Sequence, residues 1–237
     1  MPYPLPRPRL RLILWSLSLA LSCLCLASPR PAPAQAAVLT QNNDNARTGT
    51  NTAEATLTPS NVNVGSFGKL FTLGLDANVN GQVLYAPAVT INGATHNVVY
   101  AYTSNNTDNS PCSVWAFDAD TGAQLWHTPL PNSATYTTAT PVIDPGTGTM
   151  YVLTKTGNDD TGLTYLRAFD ITSGAQKGSI EVHASVPGTG DGSVNGVVSF
   201  DGPASYNRFH ANDRPGLLLL GGVVYAAFAH NSDSNPY

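Results

Sequence analysis

Charge is scarce in this chain. Asp, Glu, Lys and Arg make up only 11% of its 237 residues, and the helix-favouring Glu and Lys number two and three. No window carries apolar residues at a sustained 3.6-residue period, which argues against a helical core. A basic run is also missing, so the chain lacks the electrostatic footprint of a nucleic-acid binder. Of the three cysteines, Cys23 and Cys25 fall in the N-terminal stretch treated next and only Cys112 lies beyond it. One remaining cysteine excludes an internal disulfide. After that stretch no segment is apolar or long enough to span a bilayer.

Residues 1–36 read as a secretory signal peptide. Arg7, Arg9 and Arg11 form its positive region, Leu12 to Leu26 its apolar run, and Ala34-Gln35-Ala36 a small-x-small cleavage pattern. Fifteen apolar residues are short for a membrane span. The competing reading is an uncleaved N-terminal anchor, and the residues before Cys23 and Cys25 fit a lipid-attachment box poorly. The expectation is an exported protein, periplasmic or extracellular, with no membrane span after cleavage. Cleavage leaves seven basic residues against 15 acidic ones, a net charge of −8, which favours solubility. Residues 37–237 then suffice for one sizeable core. Cys112 reads as a small buried hydrophobe; a reactive or inter-chain thiol is the alternative.

What is abundant is Gly, Thr, Asn, Ser and Val, the composition of short strands joined by turns. The chain also repeats itself. "AFDADTGAQLW" (116–126) returns as "AFDITSGAQKG" (168–178), matching Ala116 with Ala168, Phe117 with Phe169, Asp118 with Asp170 and Gly122 with Gly174. "VVYAYTS" (98–104) corresponds to "TMYVLTK" (149–155) and to "VVYAAFA" (223–229). The spacing predicts strands at 84–90, 97–104, 113–118 and 123–128, and again at 138–143, 149–155, 164–170 and 175–183. A third unit begins near 214–220 and 223–229, behind an insertion at 187–213.

Four-stranded units at this period predict an all-β fold, a partial β-propeller of antiparallel blades. In each unit the Asp carboxylate closes the turn after the third strand, and Gly takes the positive φ that ends it. Trp126 then presents a large face to a neighbouring blade. The second copy has Gly178 at that place. Residues 67–75, "FGKLFTLGL", echo a fourth strand, with Gly68, Leu70 and Phe71 standing for Gly122, Leu125 and Trp126; they are expected to close the ring. Two and a half blades plus this strand are too few for a closed ring, so the expectation is an N-terminal fragment of a longer protein.

The motif at 116–126 resembles the tryptophan-docking motif of pyrroloquinoline-quinone-type (PQQ-like) β-propellers. "DNARTG" (44–49) looks like the Asp-x-x-Arg-x-Gly entry found before the first blade there, and the insertion and third unit resemble exported bacterial PQQ-like repeat proteins. The resemblance covers roughly residues 38–237. It implies the fold, and it implies either cofactor-free scaffolds or quinoprotein dehydrogenases that hold PQQ and calcium. The adjacent cysteine pair of the alcohol dehydrogenases is absent, and no residue matches the calcium-ligand or catalytic contexts.

No catalytic, cofactor-binding or metal residue is therefore assigned. The residues singled out are structural: Ala116, Asp118, Gly122, Trp126, Ala168, Asp170 and Gly174. The insertion holds Asp191, Asp201, Asp213, Asn195, Arg208 and His210 and reads as a surface loop, with a specific site as the alternative. Asp/Asn-rich loops at 42–45, 105–109 and 158–160 do not fit EF-hand spacing and read as turns. Histidines 96, 127, 183, 210 and 230 lack paired zinc spacing, and no Gly-x-Ser-x-Gly elbow supports a hydrolase. The expectation is an exported non-catalytic scaffold or binding module. The alternatives are the N-terminal part of a PQQ-dependent oxidoreductase and a carbohydrate-binding surface protein that stacks sugars on Tyr or Trp.

Overall fold

Val, Tyr, Phe, Trp and Thr crowd the strand segments, where branched and aromatic side chains pack well on a pleated surface. The computed structural model describes residues 36–52, 54–104, 112–130, 137–156, 163–189, 193–199 and 211–230. Among these the only regular elements are strands. The first sheet is an antiparallel meander of β1 (Leu84–Ile91), β2 (Ala94–Thr103), β3 (Ser113–Asp118) and β4 (Gln124–Pro129). The second repeats that order with β5 (Val142–Asp144), β6 (Thr149–Thr156), β7 (Leu163–Asp170) and β8 (Gln176–Glu181).

The strands expected from the repeat are all present in these two sheets, with two shortened: β8 spans only Gln176–Glu181 of the expected 175–183. Residues 138–141 lie outside β5, which begins only at Val142. The third unit is a short hairpin of β12 (Leu218–Leu220) and β13 (Val223–Tyr225). The insertion contains a hairpin rather than a featureless loop: β9 (Ser185–Pro187) pairs with β10 (Val197–Ser199). Its far end forms β11 (Ala211–Asn212), which pairs with β14 (Ala229–His230).

Register repeats along with sequence. Leu84 faces Tyr100, Val142 faces Tyr151 and Leu218 faces Tyr225 in the first strand pair of each unit. The third and fourth strands share a bulge, at Ala116/Phe117 and again at Ala168/Phe169.

Period-two alternation assigns the faces. Val114 and Ala116 of β3 point into a core that also takes Met150, Val152, Phe169 and Ile171 of the second sheet. Trp115 and Phe117 point the other way and, with Ala101, are covered by Leu73 and Leu75. The second sheet does the same one layer on: Val152 faces the first sheet, while Leu153 joins Ala139, Val142 and Leu217 against the third hairpin. Face-to-face stacking of successive meanders follows.

Residues 67–75 are not a strand. Phe71, Leu73 and Leu75 dock on the first sheet while Phe67 and Leu70 stay exposed, and the segment forms no ladder; beyond it Asn78 makes an isolated bridge to Ser104. Similar side chains were enough for docking, but a ladder also needs a partner backbone in register.

An N-terminal strap, residues 38–47, crosses all three units. Val38 bridges Tyr85 of β1, Leu39 O accepts from Ile143 N of β5 at 2.9 Å, and Gln41 Oε1 accepts from Gly216 N before β12 at 2.9 Å. Arg47 fastens it by donating to the carbonyls of Gln41 (2.8 Å), Gly216 (3.2 Å) and Leu217 (2.9 Å) and to Thr40 Oγ1 (2.6 Å).

Candidate functional site

Alternate connections of an antiparallel meander lie at opposite ends. One end of these sheets carries the tight turns: Asn92-Gly93, 119–123, 145–148, 171–175 and Gly221-Gly222. At Asn92-Gly93 and Gly221-Gly222 both φ values are positive, as two-residue hairpin turns matched to strand twist require. The longer connections gather at the other end.

The two Asp–Gly turns are built alike. Asp118 Oδ1 accepts from the N–H of Asp120 (3.1 Å) and Thr121 (2.8 Å) and from the Thr121 hydroxyl (2.8 Å). Asp170 Oδ1 accepts from the N–H of Thr172 (2.9 Å) and Ser173 (3.1 Å) and from both hydroxyls. Gly122 and Gly174 close the turns at φ 74° and 70°. Each aspartate has an outer partner: His96 Nδ1 lies 2.7 Å from Asp118 Oδ2, and Lys177 Nζ lies 3.2 Å from Asp170 Oδ2. The hydrogen bond to His96, then that from Thr121, holds the Asp118 carboxyl at about 2. Asp170 is also lowered, chiefly by Thr172.

These turns are sockets. Trp126 Nε1 donates to Ile171 O at 3.1 Å, Tyr100 OH donates to the same oxygen at 3.0 Å, and Thr128 Oγ1 donates to Gly174 O at 2.7 Å. The Trp126 ring covers Gly174 so closely that a Cβ there would sit 2.5 Å from its Cε3. Glycine is thus required at 174 by conformation and by contact. Phe71 covers Gly122 in the same manner, its ring 3.0 Å from where a Cβ would stand. At Gly178 an added Cβ would meet nothing within 4 Å. Ala116 of β3 is fully buried, and Ala168 of β7 pairs with Gly178.

The opposite end has a different chemistry. Lys155 at the end of β6 is 2% exposed and Asp213 ahead of β12 is 1% exposed. Arg167 of β7 is also buried, its Nε donating to Thr154 Oγ1 at 2.9 Å and its guanidinium 4.9 Å from the Tyr165 ring centre. Tyr102 OH accepts from Thr137 Oγ1 at 2.8 Å, and its field includes Cys112, Asp213 and Arg167. Burial raises the Tyr102 phenol far above its usual value and lowers the Lys155 ammonium. The Asp213 carboxyl is pushed up to about 6 by burial, against the opposing pull of Lys155. The N–H groups of Thr138 and Asp213 lie within electrostatic reach, but among the described residues no donor makes a hydrogen bond to either carboxylate oxygen. Buried, perturbed groups gathered at one end of a rigid scaffold mark the candidate site.

A second polar cluster lies on the outer face of the first sheet. Asp76 accepts from the Thr103 hydroxyl at 2.7 Å and from Ser113, and His127 Nε2 stands 3.8 Å away. The His127 ring stacks on Trp115 at 3.7 Å. Ser113 donates to the carboxylate rather than to the imidazole, so no nucleophile–base pair is formed.

The remaining candidates fall elsewhere. Asp44 accepts from Thr48 N at 3.2 Å and from the Thr48 hydroxyl, a turn within the strap. His183 is exposed near Glu181, Asn195 sits in the turn before β10 at φ 54°, and Cys112 is fully buried in the main core. Residues 105–109, 158–160, Asp191, Asp201, Arg208 and His210 lie outside the described residues. The sequence reading singled out neither Lys155 nor Arg167; a lysine ending an otherwise apolar strand was the available signal. No three His, Cys, Asp or Glu side chains converge among the described residues.

No family model matches the chain, and no curated protein matches it.

Proposed function

We propose that the chain is part of an exported, PQQ-like β-propeller that serves as a non-catalytic scaffold or binding module, with its binding surface at the end where the longer connections gather. One observation carries the reading. An aromatic ring covers the turn glycine of both full units, Phe71 from the preceding segment on Gly122 and Trp126 of the first unit on Gly174 of the second, and the first strand pair keeps the same register in each unit. A joint repeated at constant register arranges sheets about an axis. Tyr225, at the register position of Tyr100, is 51% exposed where Tyr100 is buried, which fits a face awaiting a further sheet. The charge and apolar pattern of residues 1–36, which reads as a signal peptide, supports export.

The scaffold reading rests on where the polar chemistry goes. Asp118 and Asp170 spend their acceptor capacity on their own turns, and Ser113 is committed to Asp76. The test is reconstitution with PQQ and calcium, followed by dye-linked oxidation of alcohols and sugars. No turnover is expected, and turnover would replace this reading with the oxidoreductase. Binding on a glycan array would identify the module as a carbohydrate binder.

A further inference from the structure

We infer that the buried carboxyl of Asp213, without a donor among the described residues, is a proton-operated latch, tightening the third hairpin on the second sheet when Asp213 takes up a proton from solvent.

The place makes this a latch. Asp213 stands between β11 and β12, at the point where the insertion returns to the fold. Four residues on, Leu217 N donates to Thr140 O at 3.0 Å, and Leu217 packs on Ala139, Val142 and Leu153. Lys155 belongs to β6 of the sheet receiving that hairpin. A carboxylate buried without donors destabilises its surroundings unless it is neutralised. Its attraction to Lys155 offsets only part of that cost, since burial remains the larger influence on Asp213.

The direction follows from linkage. The carboxyl titrates near 6 when the hairpin is docked and at the ordinary 3.8 when it is released. The docked state therefore holds its proton more tightly. The added stability is complete below the released value and is lost as pH rises through about 6.

Lys155 of β6 and Tyr102 of β2 lie within the field of Asp213; Arg167, with Tyr165 beside it, and Cys112 lie in turn around Tyr102, and β14, which pairs with β11, ends in His230. Arg47 of the strap holds the neighbouring carbonyls of Gly216 and Leu217, and Arg214 is exposed. Arg, Tyr and Cys have reference values outside the pH 5–7.5 interval. Lys155, lowered by burial, and His230, on the strand paired with β11, each need their own control.

Hydrogen exchange of the full chain, corrected for intrinsic rates, tests this on a peptide covering residues 214–220. Protection there should rise about tenfold between about pH 7.5 and about pH 5, while β2–β3 peptides stay constant. Asp213→Asn should be protected at both pH values and show no change. Lys155→Met should move the transition to higher pH, because the ammonium that holds Asp213 down is gone. A pH response that survives in Asp213→Asn assigns the proton to another group and overturns the latch. So does a wild-type profile without pH response. Should Asp213→Asn fail to fold, a transition in Lys155→Met that stays put or moves to lower pH overturns it equally.

Discussion

The two ends of these sheets solve opposite problems. At the turn end, Asp118 and Asp170 are charged, yet each carboxylate is enclosed by donors from its own turn. At the other end, Lys155, Arg167 and Asp213 are charged and buried, and Asp213 finds no donor among the described residues. One end is self-sufficient and repeats from unit to unit; the other is assembled from β2, β6, β7 and the return of the insertion, and does not repeat. Charge is stabilised where the sequence is duplicated, holding Asp118 and Asp170 low, and penalised by burial where it is not, pushing Asp213 up and Lys155 down.

The comparison is broken most directly at the sockets. Trp126→Ala should cost about 3–5 kcal/mol in denaturant unfolding, because a buried aromatic and its bond to Ile171 are lost together. A cost near that of an exposed residue would remove the turn end from its structural role. Gly174→Ala should cost roughly 2–5 kcal/mol, adding left-handed strain to the collision with Trp126. In the double variant the collision disappears, so the combined loss should fall below the sum of the two. Arg47→Ala should cost about 2–3 kcal/mol by freeing the strap from carbonyls on the third unit. Phe71→Ala should cost only about 1 kcal/mol, since Phe71 is 38% exposed in its socket.

The smallest effect sharpens the contrast between the two turns themselves. Asp118 and Asp170 have the same inner donors, but Asp118 leans outward on a histidine and Asp170 on a lysine. The depressed Asp118 carboxyl contributes stability above its ordinary value of 3.8, and that contribution is lost as pH falls through about 2. Carboxyl NMR titration of His96→Ala should show Asp118 moving up while Asp170 stays in place. Equal movement of both would mean that the outer partners play no part.

Much of the turn end was legible in the sequence because its causes are local. A strand of alternating Val, Tyr and Phe, an Asp, three residues and a Gly contain their own explanation, and a second copy 52 residues on confirmed the pattern. Phe71 was legible as a counterpart of Trp126 for the same reason. That residues 67–75 dock without pairing was not legible, since a ladder depends on a backbone elsewhere. Nor was the charged cluster: Lys155 and Asp213 are 58 positions apart, in segments whose periodicity says nothing of their meeting. Position 155 stood only as a lysine closing "TMYVLTK", and Asp213 as one acid among several in the insertion.

The strap carries a consequence for the order of assembly. Arg47 finds its partner Leu217 O across 170 positions of chain, so a ribosome exposes the donor long before it exposes the acceptor. The first two meanders can condense on contacts of short sequence separation, whereas the strap's closing bonds must wait, since they raise the contact order of the whole fold and belong to its slow phase. The strap's bridge to Tyr85 can close early, but its bonds to Gly216 and Leu217 close only once the third unit has been made.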